Sequence, residues 1–166
     1  MLRITTTFKL ASVLLAASLL AACSSTKEEA PAPVVSTPTS SIKPGSADDF
    51  RVNVGDTVLF DTDQHSVRPD AQAILQKQAA WLKQYPQVKL MVEGHADERG
   101  TREYNLALGD RRAYAVKEFL VSLGVDAARL QTKSYGKERP MCSESDESCW
   151  QQNRRGYSVI AAGAGS

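Results

Sequence analysis

The chain has 166 residues, 42% of them hydrophobic and 23% charged, and a formal net charge of +1. That length holds one domain plus appendages, and the composition is that of an ordinary globular protein. There is no basic tract and no interleaving of aromatic with basic residues, so nucleic acid is excluded as a partner.

Residues 1–22 carry Arg3 and Lys9 and no acid; taking those two from the 20 basic residues leaves 18 against 19 acidic ones. Leu10 to Leu20 is an unbroken run of apolar and small residues. A spanning helix needs about 20 such residues, so this shorter run reads as the core of a signal peptide. It ends in Leu20-Ala21-Ala22-Cys23, which resembles a bacterial lipobox. That resemblance implies that Cys23 is acylated, palmitate included, and becomes the first residue of the mature protein. A buried methylene contributes about 0.8 kcal/mol, so one chain anchors weakly while the three usual in this class anchor essentially permanently. Ser24 follows Cys23 where an Asp would imply retention, and this implies transfer to the outer membrane.

From Ser24 to about Asp49 the chain is Ser, Thr, Pro, Lys and Glu, and Pro31, Pro33, Pro38 and Pro44 block helix and ladder formation. This 23–49 segment reads as a tether able to reach about 75 Å when extended. It precedes a folded domain over 50–166.

In that domain Thr57–Phe60 reads as a strand, extended by or paired with Arg51–Val54, and runs into the acidic loop Asp61-Thr62-Asp63. Pro69 and Asp70 start a helix with the apolar stripe Ile74, Leu75, Ala79 and Leu82, which Pro86 ends. Val88–Val92 alternates as a strand. A second helix, about Glu103 to Leu123, buries Ala113, Val116, Leu120 and Leu123, with Gly124 as its stop. After a turn at Asp126–Leu130 come strands at Thr132–Tyr135 and Gly156–Ile160. The order β-α-β-α-β-β predicts an α+β fold, one mixed sheet with helices on one face.

Cys142 and Cys149 bracket an acidic, serine-rich loop. In an oxidising compartment two leftover thiols pair, which closes a small ring worth about 2.5 kcal/mol in the loop-entropy model. The alternative is a metal pair, but no His lies nearby in sequence.

The most informative stretch is Val92-Glu93-Gly94-His95-Ala96-Asp97-Glu98-Arg99-Gly100-Thr101, followed by Glu103-Tyr104-Asn105 and Arg111-Arg112. Charged side chains here sit on a strand-loop-helix, flanked by rigid elements. Asn105, Gly109 and Arg112 are spaced +4 and +3 and share one helix stripe. Gly109 costs about 1 kcal/mol of helix propensity relative to Ala, which a bare patch open to a ligand or a neighbouring loop would explain. Arg111 lies about 100° round the helix and is expected in a surface pair with Glu118 or Glu138. Tyr104 and Tyr114 are expected in the core or at a rim. An Asp97–Arg112 salt bridge locking loop to helix is the bland alternative for these two residues. A metal-dependent hydrolase built on His95, Asp97, Glu98 and His65 is a second alternative, without an H-x-x-x-H helix to support it.

These motifs resemble the OmpA-like peptidoglycan-binding domain family, and within it the lipid-anchored branch of the Tol-Pal envelope system. The resemblance covers about residues 50–160. It implies a noncatalytic domain, without cofactor or metal, that binds the meso-diaminopimelate of peptidoglycan stem peptides. It also implies docking to TolB and other Tol proteins. By the family motif Asp97 and Arg112 are the diaminopimelate-binding pair, Asn105 and Leu108 give supporting contacts, and Asp63 is a further acid on the ligand. The target is a zwitterion, so one anion and one cation are needed close together. The planar fork of Arg112 holds a carboxylate through two parallel bonds, which Lys cannot. Asn153-Arg154-Arg155 reads as structural, bonding back to the site loop. Two departures stand out: His65-Ser66 replaces a commoner Tyr-Asp pair, and Gly156 stands where an apolar residue is usual.

Overall fold

The structure, a computed structural model, describes residues 42–165. The signal peptide, Cys23 and the tether up to residue 41 lie outside the described residues. In chain order come a helical turn α1 (Ala47–Asp49) continued by a π-helical turn (Phe50–Val54), β1 (Thr57–Leu59), α2 (Pro69–Gln84), β2 (Lys89–His95) and α3 (Arg102–Ser122). A 3-10 turn (Ala127–Arg129), β3 (Leu130–Gly136), α4 (Glu147–Asn153) and β4 (Arg155–Ala162) complete it.

The strands form one sheet in the order β1-β4-β2-β3. β2 and β3 run parallel, with α3 in the crossover between them, and β4 inserts antiparallel between β2 and β1. Alternation along β2 buries Leu90 and Val92, which meet Leu75, Ala79 and Leu82 of α2 and Ala113, Val116 and Leu120 of α3 in one core. The α+β class with helices packed on the sheet is as the pattern predicts. Among the described residues no helix is long and apolar enough to cross a membrane.

Two elements differ from expectation. Arg51–Val54 is not a strand but a π-helical turn. The alternation of Val52 and Val54 gives way to tertiary packing: Phe50 is buried, its ring 4.9 Å from that of Trp81, and Trp81 Nε1 donates to Asp49 at 2.9 Å. The same contacts bring Asp49, a residue the sequence gives to the tether, against α2. The second difference is α4, a helix where only a loop was expected. Asp146 caps it by accepting from Cys149 N at 2.9 Å, and Cys142 and Cys149 form the expected disulfide, with their Cα atoms 5.2 Å apart.

Gly94 and Gly109 bring α3 down onto β2. A Cβ at Gly94 would lie 1.8 Å from the carbonyl oxygen of Gly109, and one at Gly109 would lie 2.4 Å from Ser134 Oγ. The bare patch at Gly109 therefore faces strand backbone, neither ligand nor loop, and it sets how closely Arg112, one turn on, approaches the strand end.

Candidate functional site

The C-terminal end of β2, the loop after β1 and the first half of α3 enclose a cavity of about 320 Å³. Asp63, Asp97, Asn105, Leu108 and Arg112, the five residues singled out from the sequence, all line it, together with Thr62, Arg99, Gly100 and Tyr104.

Arg112 forms the floor and is fully buried. Its Nε donates to the Gln64 carbonyl at 2.8 Å, Nη1 to the His95 carbonyl at 2.8 Å and Nη2 to the Asp61 carbonyl at 3.0 Å. One side chain thus ties the first loop to the end of the central strand. Three of the five N–H donors of a guanidinium are used, and two remain. Among the described residues no carboxylate lies within 4 Å of it, so the bland Asp97–Arg112 bridge is not formed. Burial pulls its pKa down to about 10, which leaves it cationic at neutral pH.

Asp97 pairs instead with two other arginines. Arg99 approaches from the mouth, Nη2 to Oδ2 at 2.6 Å and Nε to Oδ1 at 3.2 Å, and its backbone N–H donates to Oδ1 at 3.1 Å. Arg154 approaches from below, Nη1 to Oδ2 at 3.3 Å. Burial pushes the Asp97 carboxyl up, but these bonds outweigh it and hold the pKa below the usual carboxylate range. Arg154 also reaches the Phe60 carbonyl at 3.2 Å, Gln151 Oε1 at 2.9 Å and Glu147. Arg154 does bond back to the site loop, as expected. Asn153 instead accepts from Met141 N at 2.7 Å, and Arg155 donates to the Arg139 carbonyl at 3.2 Å.

The loop itself is fastened on every side. Asn105 Nδ2 donates to the Arg99 carbonyl at 2.8 Å, and Lys137 Nζ donates to the carbonyls of Glu98 and Gly100. Thr101 caps α3 by accepting from Tyr104 N at 3.2 Å. Asp63, at φ 60°, accepts a bond from the Tyr104 hydroxyl that closes one side of the mouth.

Several expectations are corrected. Arg111 lies over the Tyr104 ring at 6.0 Å, while Glu138 pairs with Arg102. Tyr104 lies at the rim, one of the two places expected for it, while Tyr114 is exposed on α3 and is not core. His95 is buried against the Tyr135 ring at 5.5 Å, and Glu98 Oε1 accepts from Trp150 at 3.0 Å. Among the described residues no group of three or more His, Cys, Asp or Glu is placed to hold a metal. Arg99 and Tyr104 are the site residues that sequence reasoning left without a role. The signal for Arg99 was its position two residues after Asp97 in a loop bounded by glycines.

A model of the OmpA family matches residues 59–154, the span that carries both cavity-forming loops and α3. The chain belongs to the OmpA family. Within it the chain is 63% identical over 123 residues to the peptidoglycan-associated lipoprotein of Mesorhizobium japonicum, covering 74% of this chain and 73% of that one. It is 61% identical to that of Agrobacterium fabrum, covering 75% and 70%, and 50% identical to that of Pseudomonas aeruginosa, covering 60% and 58%. The crystal structure of the peptidoglycan-associated lipoprotein from Burkholderia pseudomallei superposes with a TM-score of 0.62 at 48% identity, over 63% of this chain and 89% of that one. The C-terminal domain of Helicobacter pylori MotB shares the OmpA-like fold, with a TM-score of 0.60 at 22% identity.

Proposed function

We propose that this chain is a noncatalytic lipoprotein that binds peptidoglycan through the free end of meso-diaminopimelate. The observation that carries this reading is the charge arrangement of the cavity. A buried cation, Arg112, with no carboxylate within 4 Å among the described residues, shares about 320 Å³ with Asp63 and with Asp97, whose carboxylate Arg99 and Arg154 hold in place. A ligand bearing an ammonium and a carboxylate on one carbon matches that pattern, and neither charge alone does. Leu108 supplies an apolar wall for the methylene stem of such a ligand. The names of the relatives, which state an association with peptidoglycan, support the same reading.

In this account Cys23 carries the lipid that anchors the chain in the outer membrane, and residues 24–41 let the domain reach the wall from the periplasmic side. By the family resemblance the domain also docks to TolB of the Tol-Pal system, and that docking complements wall binding.

Sedimentation with isolated sacculi tests the proposal. Truncating one partner of a desolvated charge pair costs about 2–5 kcal/mol, so Arg112→Ala should bind about 30-fold or more weakly. Arg112→Lys should also bind poorly, and Arg111→Ala should resemble the wild type. Undiminished sacculus binding by folded Arg112→Ala would contradict the proposal.

A further inference from the structure

Trp150 does not line the cavity, yet it contacts the loop that does. The Arg99 guanidinium lies over its ring, 4.2 Å from the centroid, and its Nε1 donates to Glu98 Oε1 at 3.0 Å. One side chain therefore grips two consecutive residues of the site loop. Arg99, with a side chain 40% exposed, holds the nearly buried Asp97 carboxylate through both Nε and Nη2.

The helix that carries Trp150 has seven residues, too few to persist in water by itself. What fixes it is tertiary. Cys149, next to Trp150, is buried and bonded to Cys142, and Glu147 and Gln151, one turn apart on α4, both accept from Arg154.

We propose that Trp150, held in place by the Cys142–Cys149 disulfide, is a positioning residue for the cavity: it seats Arg99 against Asp97 and so fixes the carboxylate that meets the ligand's ammonium. The ligand part of this inference rests on the zwitterion reading given above. The physical reason is preorganisation. An exposed arginine without a platform samples many rotamers, whereas one seated on an indole holds Asp97 in a single orientation before the ligand arrives. A cation over an aromatic face at a half-exposed site is worth about twofold to fivefold in an equilibrium.

The test uses the purified mature protein in detergent, as wild type, Trp150→Ala, Trp150→Phe and Cys142→Ser/Cys149→Ser. Carbon-detected NMR titration reads the Asp97 carboxyl directly, circular dichroism reads folding, and sedimentation with sacculi reads affinity. Trp150→Ala and the disulfide-free protein should raise the Asp97 pKa and weaken sacculus binding about twofold to fivefold while remaining folded. Trp150→Phe keeps the ring face and should restore most of both. An unchanged Asp97 titration with unchanged affinity in folded Trp150→Ala would overturn the inference, and so would tighter binding. If the disulfide-free protein fails to fold, Trp150→Ala decides alone. If wild type fails to bind sacculi, the wall-binding reading falls, and the Asp97 titration still decides the positioning claim.

Discussion

Arg154 Nη1 lies 3.3 Å from Asp97 Oδ2, although the two residues are 57 positions apart in the chain. Arg154 is 2% exposed, and removing one partner of a buried ion pair leaves an uncompensated charge. Arg154→Gln should therefore lower unfolding stability by about 3–5 kcal/mol, measured by urea denaturation at neutral pH. The folded-state pKa of Asp97 lies below its unfolded value, so its contribution is present above the unfolded value and lost as pH falls through the folded one. Arg154→Gln should accordingly lose less stability than wild type at that acid limb. A loss under about 1 kcal/mol would show the pair to be dispensable.

A separate pH dependence is expected from His95. Burial, with Arg155 and Arg139 nearby, lowers its pKa from 6.5 to about 4. The unfolded chain then takes up the proton first, so stability falls as pH drops from about 6.5 to about 4, by about 3 kcal/mol at most. Neither ring nitrogen makes a hydrogen bond within 3.5 Å among the described residues, and the nearest carboxylate oxygen, Glu93 Oε2, lies 3.7 Å from Nε2. His95→Phe should consequently be close to neutral at pH 7 and should flatten that limb. An equally steep limb in the variant would assign the dependence to other groups.

The contact between Gly94 and Gly109 predicts a steep cost for one added methyl. Gly94→Ala forces backbone against backbone and should destabilise by about 1–3 kcal/mol or more, read as a fall in Tm. Gly109→Ala meets Ser134 Oγ, and the Gly109→Ala/Ser134→Ala pair should recover part of the loss. Without such recovery, the Gly94 backbone is the dominant clash.

Legibility of the fold varied with the kind of physics that decides each element. α2, β2 and α3 were readable because burial imposes a period on Leu75, Val92 and Val116. Arg51–Val54 differs from the strand its alternating valines favour because the helical turn there packs Phe50 on the distant ring of Trp81. α4 was missed because its residues are acidic and polar, and it rests on a cap and a disulfide. At the site, the motif picked out Asp97 and Arg112 but not how they are paired. Arg99 sits on Trp150, 51 residues later, and Arg112 is satisfied by carbonyl oxygens, which carry no side-chain signature.

The proposed anchor makes its own prediction. Cys23→Ser should leave an uncleaved precursor or a soluble periplasmic form, whereas wild type should fractionate with the outer membrane. Mass spectrometry of the mature N-terminus checks this, and an unmodified Cys23 there would contradict it.

The most direct measurement of the central claim is titration of the mature protein against walls whose stem peptides carry diaminopimelate or lysine. Lysine-type stems lack the second carboxylate, so nothing there engages the remaining Arg112 donors. Diaminopimelate walls should bind about 30-fold or more tightly, and Arg112→Lys should erase most of that preference. Equal binding to both walls would contradict the account.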